Sequence, residues 1–132
     1  MDGDTLQTWL DEVPFHAQLG PMRARLVDHG IELDTDLLPV AENTIGSGIA
    51  HGGVAAAILD TALALALTAA TDLEWTTVDL RVDYVRPVPI GAVRASATVV
   101  HAGSRIGRAE GALVDGDGRL CTRAVGAFVP ID

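Results

Sequence analysis

Lysine is absent from this chain, so its nine Lys-or-Arg positions are all arginine, set against eighteen acidic residues and a formal charge of −9. A field of that sign repels nucleic acid and anionic membrane surfaces, and neither is an expected partner. A few arginines can still build a local patch for an anionic small ligand. Cysteine occurs once, as Cys121, which excludes an intrachain disulfide framework. Its strand-like surroundings, Leu120 to Val125, make it a buried, inert thiol. Aromatic residues are only 4% of a chain that is 48% hydrophobic, so the core must be filled by Ala, Val, Leu and Ile. Such a core gains less buried area per residue, and a monomer built on it is expected to leave apolar surface for a second subunit. The N-terminus carries Asp2 and Asp4 and lacks the basic-then-apolar pattern of a signal peptide. The most apolar run, Val54 to Ala70, contains Asp60 and is short for a bilayer span. A cytoplasmic protein is therefore expected.

What is present suits one compact domain over residues 1–132. Leu6, Trp9 and Leu10 have helical spacing, which predicts a short N-terminal helical segment at about 5–19, punctuated by Pro14 and Gly20-Pro21. Met22 to Val27 and Ile31 to Leu37 alternate around Asp28-His29-Gly30, the pattern of a hairpin. Pro39 to Ala50 reads as a loop. His51 to Ala70, rich in Ala and Leu, is the one long helix candidate. Strands follow at Thr76 to Arg86, Val93 to His101, Arg108 to Val114 and Leu120 to Val129. In the first of these, Val78, Leu80, Val82 and Tyr84 fall on one face and Thr77, Asp79, Arg81 and Asp83 on the other. One long helix among antiparallel strands implies an α+β fold with the sheet covering the helix. That helix is apolar nearly all round, so one sheet face is not enough to bury it, and a second subunit is the natural cover.

The chemistry concentrates at His51-Gly52-Gly53 and Asp60. A carboxylate inside an apolar helix is costly unless something answers it. Gly53, Ala56, Ala57 and Ala64 share its side of the helix and leave room for a substrate carbonyl and a water. Asp60 can then serve as general base or nucleophile, or as a structural hydrogen-bonding group. Gly52 and Gly53 would offer amides to a developing oxyanion, or merely ease the loop into the helix. His51 is assigned a shaping role ahead of an acid-base one. Thr77 could orient the attacking water if its strand crosses beside the helix start of a partner subunit. His16, His29, His51 and His101 show no pairing at ligand spacing, so no metal is expected. Gly46-Ser47-Gly48 lacks the lysine of a phosphate loop, and no dinucleotide fingerprint or other cofactor motif is present.

Gly48-Ile49-Ala50-His51-Gly52-Gly53, then Asp60-Thr61-Ala62, then Thr77 to Pro87 together resemble the hot-dog fold thioesterases of the phenylacetic-acid-degradation type, over about Phe15 to Val129. The resemblance implies a hot-dog fold, in which a long central helix is wrapped by a curved antiparallel β-sheet. It also implies a homodimer, often a dimer of dimers, that hydrolyses acyl-CoA thioesters at the subunit interface. The Gly52 amide, with Gly53, would polarise the thioester carbonyl, Asp60 would come from the opposing subunit, and Thr77 would carry the water-orienting hydroxyl. Many relatives place Asn six residues before the His. Here that position is Ile45, so either Asn43 or Ser47 substitutes from a rearranged loop or the polar contact is missing. Arg86, Arg105 and Arg108 are candidates for the CoA phosphates. The competing expectations are a hot-dog hydratase or dehydratase on acyl thioesters, a non-catalytic acyl-CoA-binding module, and a structural dimerisation domain.

Overall fold

In the computed structural model, described for residues 1–131, the Ala- and Leu-rich run forms one 20-residue helix, α2 (Gly52–Thr71). It ends at Asp72, whose left-handed backbone (φ 59°) returns its N–H to the Thr68 carbonyl. Ten of its residues, among them Ile58, Leu59, Leu63 and Leu67, are buried. The full 20 residues of α2 are long and apolar enough to cross a membrane, whereas the run Val54 to Ala70 alone is short for one. Its buried face is instead packed against the strands of a sheet.

That sheet has six antiparallel strands: β1 (Met22–Val27), β2 (Gly30–Leu37), β3 (Trp75–Tyr84), β4 (Gly91–Ala102), β5 (Gly107–Asp115) and β6 (Leu120–Pro130). Their order is β1-β2-β4-β5-β6-β3, so the chain leaving α2 returns to the far edge and the first strand forms the other. β2, β3, β4, β5 and β6 all contact α2. This is the α+β hot-dog architecture expected: one central helix wrapped by a curved antiparallel sheet. Ile31, Leu33, Ala95, Ala97, Leu113 and Phe128 close on the helix without any large aromatic cluster. Small side chains let the layers approach. A Cβ at Gly111 would lie 2.4 Å from the Ser96 carbonyl oxygen and 3.1 Å from Leu63.

The β1–β2 turn differs from its expected form. Val27 pairs with Gly30, so the turn is Asp28-His29 alone, and His29 takes the left-handed backbone (φ 69°) that a glycine usually fills. Gly30 serves another purpose. A Cβ there would stand 1.9 Å from the Ala97 carbonyl oxygen, so only glycine lets β2 enter its pairing with β4.

The alternation in β3 is interrupted by a bulge. Thr77 pairs with Phe128 and Asp79 with Ala127, leaving Val78 as the extra residue, exposed to solvent. A bulge shifts the alternation by one position. Thr77 therefore shares the helix-facing side with Leu80, Val82 and Tyr84, not the opposite face that regular alternation assigns to it.

Before the sheet, α1 (Gly3–Asp11) starts where the Asp2 carboxylate accepts the Thr5 N–H, and buries Leu6 and Leu10. A 3₁₀ turn at Pro14–Gln18 then places His16 in the interior, its Nε2 2.7 Å from the Thr61 hydroxyl of α2. Nδ1 of this ring is buried without a hydrogen-bond partner among the described residues. Burial pushes His16 below the ordinary histidine range. The unfolded chain binds a proton at about pH 6.5 and the folded one only at lower pH. Stability is thus retained above about pH 6.5 and lost as pH falls from there through the lowered folded value. Thermal unfolding between pH 7.5 and 5 is expected to show this acid-side loss, and His16→Gln to remove that part of the slope. An unchanged slope in the variant would contradict the assignment. Cys121 is fully buried and burial raises its thiol, consistent with an inert side chain.

Candidate active site at the start and middle of the central helix

The first turn of α2 is held by His51. Its backbone is extended (φ −57°, ψ 137°), its ring Nδ1 accepts the Gly53 N–H at 2.9 Å, and its carbonyl accepts the Val54 N–H at 2.8 Å. An imidazole nitrogen thus does what a Ser or Asp oxygen usually does at this position. The helix starts at Gly52, one residue after the His51 start expected from the sequence. It contains both glycines, and His51 caps them. The Gly53 amide is consequently engaged. Gly52 N–H has no hydrogen-bond partner among the described residues. Of the two amides proposed for an oxyanion, Gly52 is the one left free, aligned with the positive end of a 20-residue helix dipole.

Beside Gly52 is a mostly apolar cavity of about 330 Å³ lined by Ile49, Gly52, Ala55, Tyr84, Arg86 and Val88 with their neighbours. Tyr84 donates its hydroxyl to the Gly52 carbonyl at 2.6 Å. Alternation groups this residue with Val78, Leu80 and Val82 on one face of its strand and by itself assigns it no role. The signal available was that it is the chain's sole tyrosine, at the end of a strand whose same face carries Leu80 and Val82.

Asp60 lies two turns further on, half-buried, in a stripe with exposed Gly53 and half-buried Ala56, Ala57 and Ala64. Within one chain the carboxylate is not sealed in apolar surroundings, because those small side chains leave it open. The burial cost inferred from the sequence is therefore not incurred in the single chain. Thr77 donates its hydroxyl to Asp60 Oδ1 at 2.5 Å. The hydroxyl expected to orient a water is thus spent on the carboxylate, in the same chain, and leaves Oδ2 without a partner among the described residues. Eight residues of helix separate Gly52 from Asp60, about 12 Å at 1.5 Å per residue. One thioester carbonyl cannot touch both groups of a single chain.

The loop before the helix is pinned by a residue that sequence reading passed over. Glu42 accepts the Gly48 N–H at 2.6 Å and the Gly46 N–H at 3.3 Å, one on each carboxylate oxygen. Its clue was an acidic side chain a few residues before two glycines that require positive φ (79° and 72°). Asn43 and Ser47, the two candidates to replace the missing Asn, bond each other at 2.8 Å. Ile45 stands fully exposed at the tip.

The three arginines are not gathered together. Arg86 lines the cavity and donates to the Leu120 carbonyl at 2.8 Å. Arg105 and Arg108 lie on either side of Gly107, where a Cβ would stand 2.8 Å from Leu67 and 2.9 Å from Trp75, near the other end of α2. From Gly52 to Leu67 is about 22 Å of helix.

This fold is that of the hot-dog thioesterases. Residues 47–122 match the family described as thioesterase superfamily. A provisionally named esterase of Thermoplasma acidophilum is 30% identical over 93 residues, covering 69% of this chain and 70% of its own. A solved structure described as a protein from the thioesterase superfamily is 27% identical, with a TM-score of 0.90 and 98% of each chain covered. The E. coli PaaI protein from the phenylacetic acid degradation operon shares the fold at 21% identity, with a TM-score of 0.83 over 98% of this chain and 94% of that one. The chain belongs to the thioesterase superfamily, and its homologues support thioester hydrolysis as its general chemistry.

Proposed function

We propose that this protein hydrolyses acyl-CoA thioesters to free acid and CoA, at a site completed by two copies of the chain. The observation that carries this reading is the Asp60 carboxylate, held by Thr77 on an open stripe of small residues while the Gly52 amide stands free about 12 Å away. Two antiparallel copies of α2, apposed along that stripe, would bring Asp60 of one to Gly52 of the other. The pairing would also cover the Gly53, Ala56, Ala57 and Ala64 side that the sheet leaves open.

In that arrangement the thioester carbonyl oxygen accepts the Gly52 N–H. Asp60 takes a proton from water through Oδ2 as the water oxygen bonds to the thioester carbon. Negative charge gathers on the carbonyl oxygen, where the amide needs no reorganisation to receive it. Collapse breaks the carbon–sulfur bond, and the proton held by Asp60 passes to the departing thiolate. Thr77 fixes the rotation of the carboxylate and so the direction of Oδ2. Arg86, on the cavity wall, is the best placed of the three arginines to meet a CoA phosphate entering beside the same chain's Gly52. Arg105 and Arg108 would have to be reached from further along the molecule. A hydratase reading, which needs a histidine base paired with a carboxylate, is disfavoured because His51 already commits Nδ1 to Gly53.

Continuous thiol detection over a panel of aromatic and straight-chain acyl-CoAs tests the proposal. Release of free thiol from at least one member is expected. Saturable binding of those ligands with no release would make this an acyl-CoA-binding module instead.

A further inference from the structure

The two glycines at the head of α2 are the residues least able to hold their own backbone geometry, since neither has a Cβ to restrict it. The peptide plane joining them carries the Gly52 carbonyl on one side and the Gly53 N–H on the other. The carbonyl accepts the Tyr84 hydroxyl at 2.6 Å, and the N–H donates to His51 Nδ1 at 2.9 Å. The preceding plane is tied by the bond from Val54 N–H to the His51 carbonyl. Of the four polar groups on these two planes, only Gly52 N–H lacks a partner among the described residues. Tyr84 also borders the space beside that glycine, where a Cβ would lie 3.5 Å from its hydroxyl oxygen.

We propose that Tyr84 is a positioning residue: with His51 it clamps the Gly52–Gly53 peptide from both sides and so, through the Gly52 torsions that join this plane to the preceding one, restricts the direction of the free Gly52 amide. This rests on the reading that this amide receives the thioester oxygen. The β3 bulge makes the clamp compatible with Thr77. Seven residues separate Thr77 from Tyr84, which in a regular strand would put them on opposite faces, yet both reach α2. One strand thereby holds the carboxylate through its beginning and the amide through its end. Helix ends fray, and the side-chain bond from β3 ties the first turn to the sheet.

Tyr84→Phe keeps the ring and deletes only the donor. In the ¹⁵N-labelled protein, exchange of the Gly53 amide is expected to speed up by about tenfold, the scale of one net hydrogen bond. kcat on the best panel substrate should fall by about tenfold, with KM within about twofold and no comparable change in melting temperature. His51→Gln should release the same peptide. The double variant should therefore lose little more than the more impaired single variant, because both grips act on one group. Multiplicative losses, or a Tyr84→Phe variant with unaltered Gly53 exchange and kcat, would overturn the clamp. If the wild-type protein releases no thiol, the proposed hydrolysis fails, while the exchange rates still decide whether Tyr84 holds the peptide.

Discussion

Asp60→Asn is expected to lower kcat by about a thousandfold, in the range typical of a lost general base. The change should leave the fold and any oligomer intact. Asn is nearly isosteric and its Oδ1 can still accept the Thr77 hydroxyl that holds Oδ1 of the carboxylate at 2.5 Å. What it cannot do is take a proton from water at the second position, where an amide nitrogen would replace Oδ2. Because Asp60 is half-buried and bordered by Ala56, Ala57 and Ala64, neither packing nor charge burial changes enough to unfold the chain. Thermal melting and sedimentation read the structural side, and thiol release reads the chemistry. Thr77→Val should cost less, since it leaves the base present but free to turn. An Asp60→Asn enzyme retaining a tenth or more of its kcat would remove Asp60 from the reaction. Single turnover in ¹⁸O-water separates base from nucleophile, because only a nucleophilic Asp60 would acquire the label in its own carboxylate.

The elements were legible because their periods differ so clearly. β1 spans the six residues that alternation assigned to it, and α2 extends over the only long run of Ala and Leu. Three features of the site were hidden for physical reasons. The β3 alternation is equally regular on either side of Val78, and only pairing with Phe128 and Ala127 of β6 reveals the extra residue that turns Thr77 towards the helix. The cap on α2 was masked because histidine is not among the residues that favour that position, although its Nδ1 can accept an N–H two residues on. Tyr84 reaches a carbonyl 32 positions earlier in the chain, a contact created by tertiary packing and invisible to local spacing. Gly30 likewise looked like a turn glycine, because nothing in its neighbours announces that the Ala97 carbonyl will pass where a side chain would be. The pairing of His51-Gly52-Gly53 with Asp60 was readable, but helix length itself argues that the two ends of that motif do not serve one substrate within one chain.

Gly52→Pro is the sharpest test of the other half of the site. Gly52 is the first residue of α2, where proline is favoured because the missing N–H has no intrahelical partner. The residue before it must be extended, and His51 already is, at φ −57° and ψ 137°. Even the space is compatible, since the nearest atom to a Cβ at this position is 3.5 Å away. The substitution therefore deletes the free amide and sets the ring Cδ in place of its hydrogen, so both changes act against an oxygen bound there. A loss of kcat of about 10²- to 10³-fold is expected, the usual consequence of removing one oxyanion donor, with thermal stability largely retained. Combining it with Asp60→Asn then decides how the site is shared. If Asp60 and Gly52 meet across two chains, a mixed dimer of the two inactive variants has one doubly damaged site and one intact site. Co-expression in equal amounts makes half the dimers mixed, so about a quarter of wild-type activity should return. If both groups came from one chain, every site in the mixture would carry a defect and no activity would return. Separating the mixed species with two affinity tags should raise the recovery to about half, because one of its two sites then has both an unaltered carboxylate and an unaltered amide.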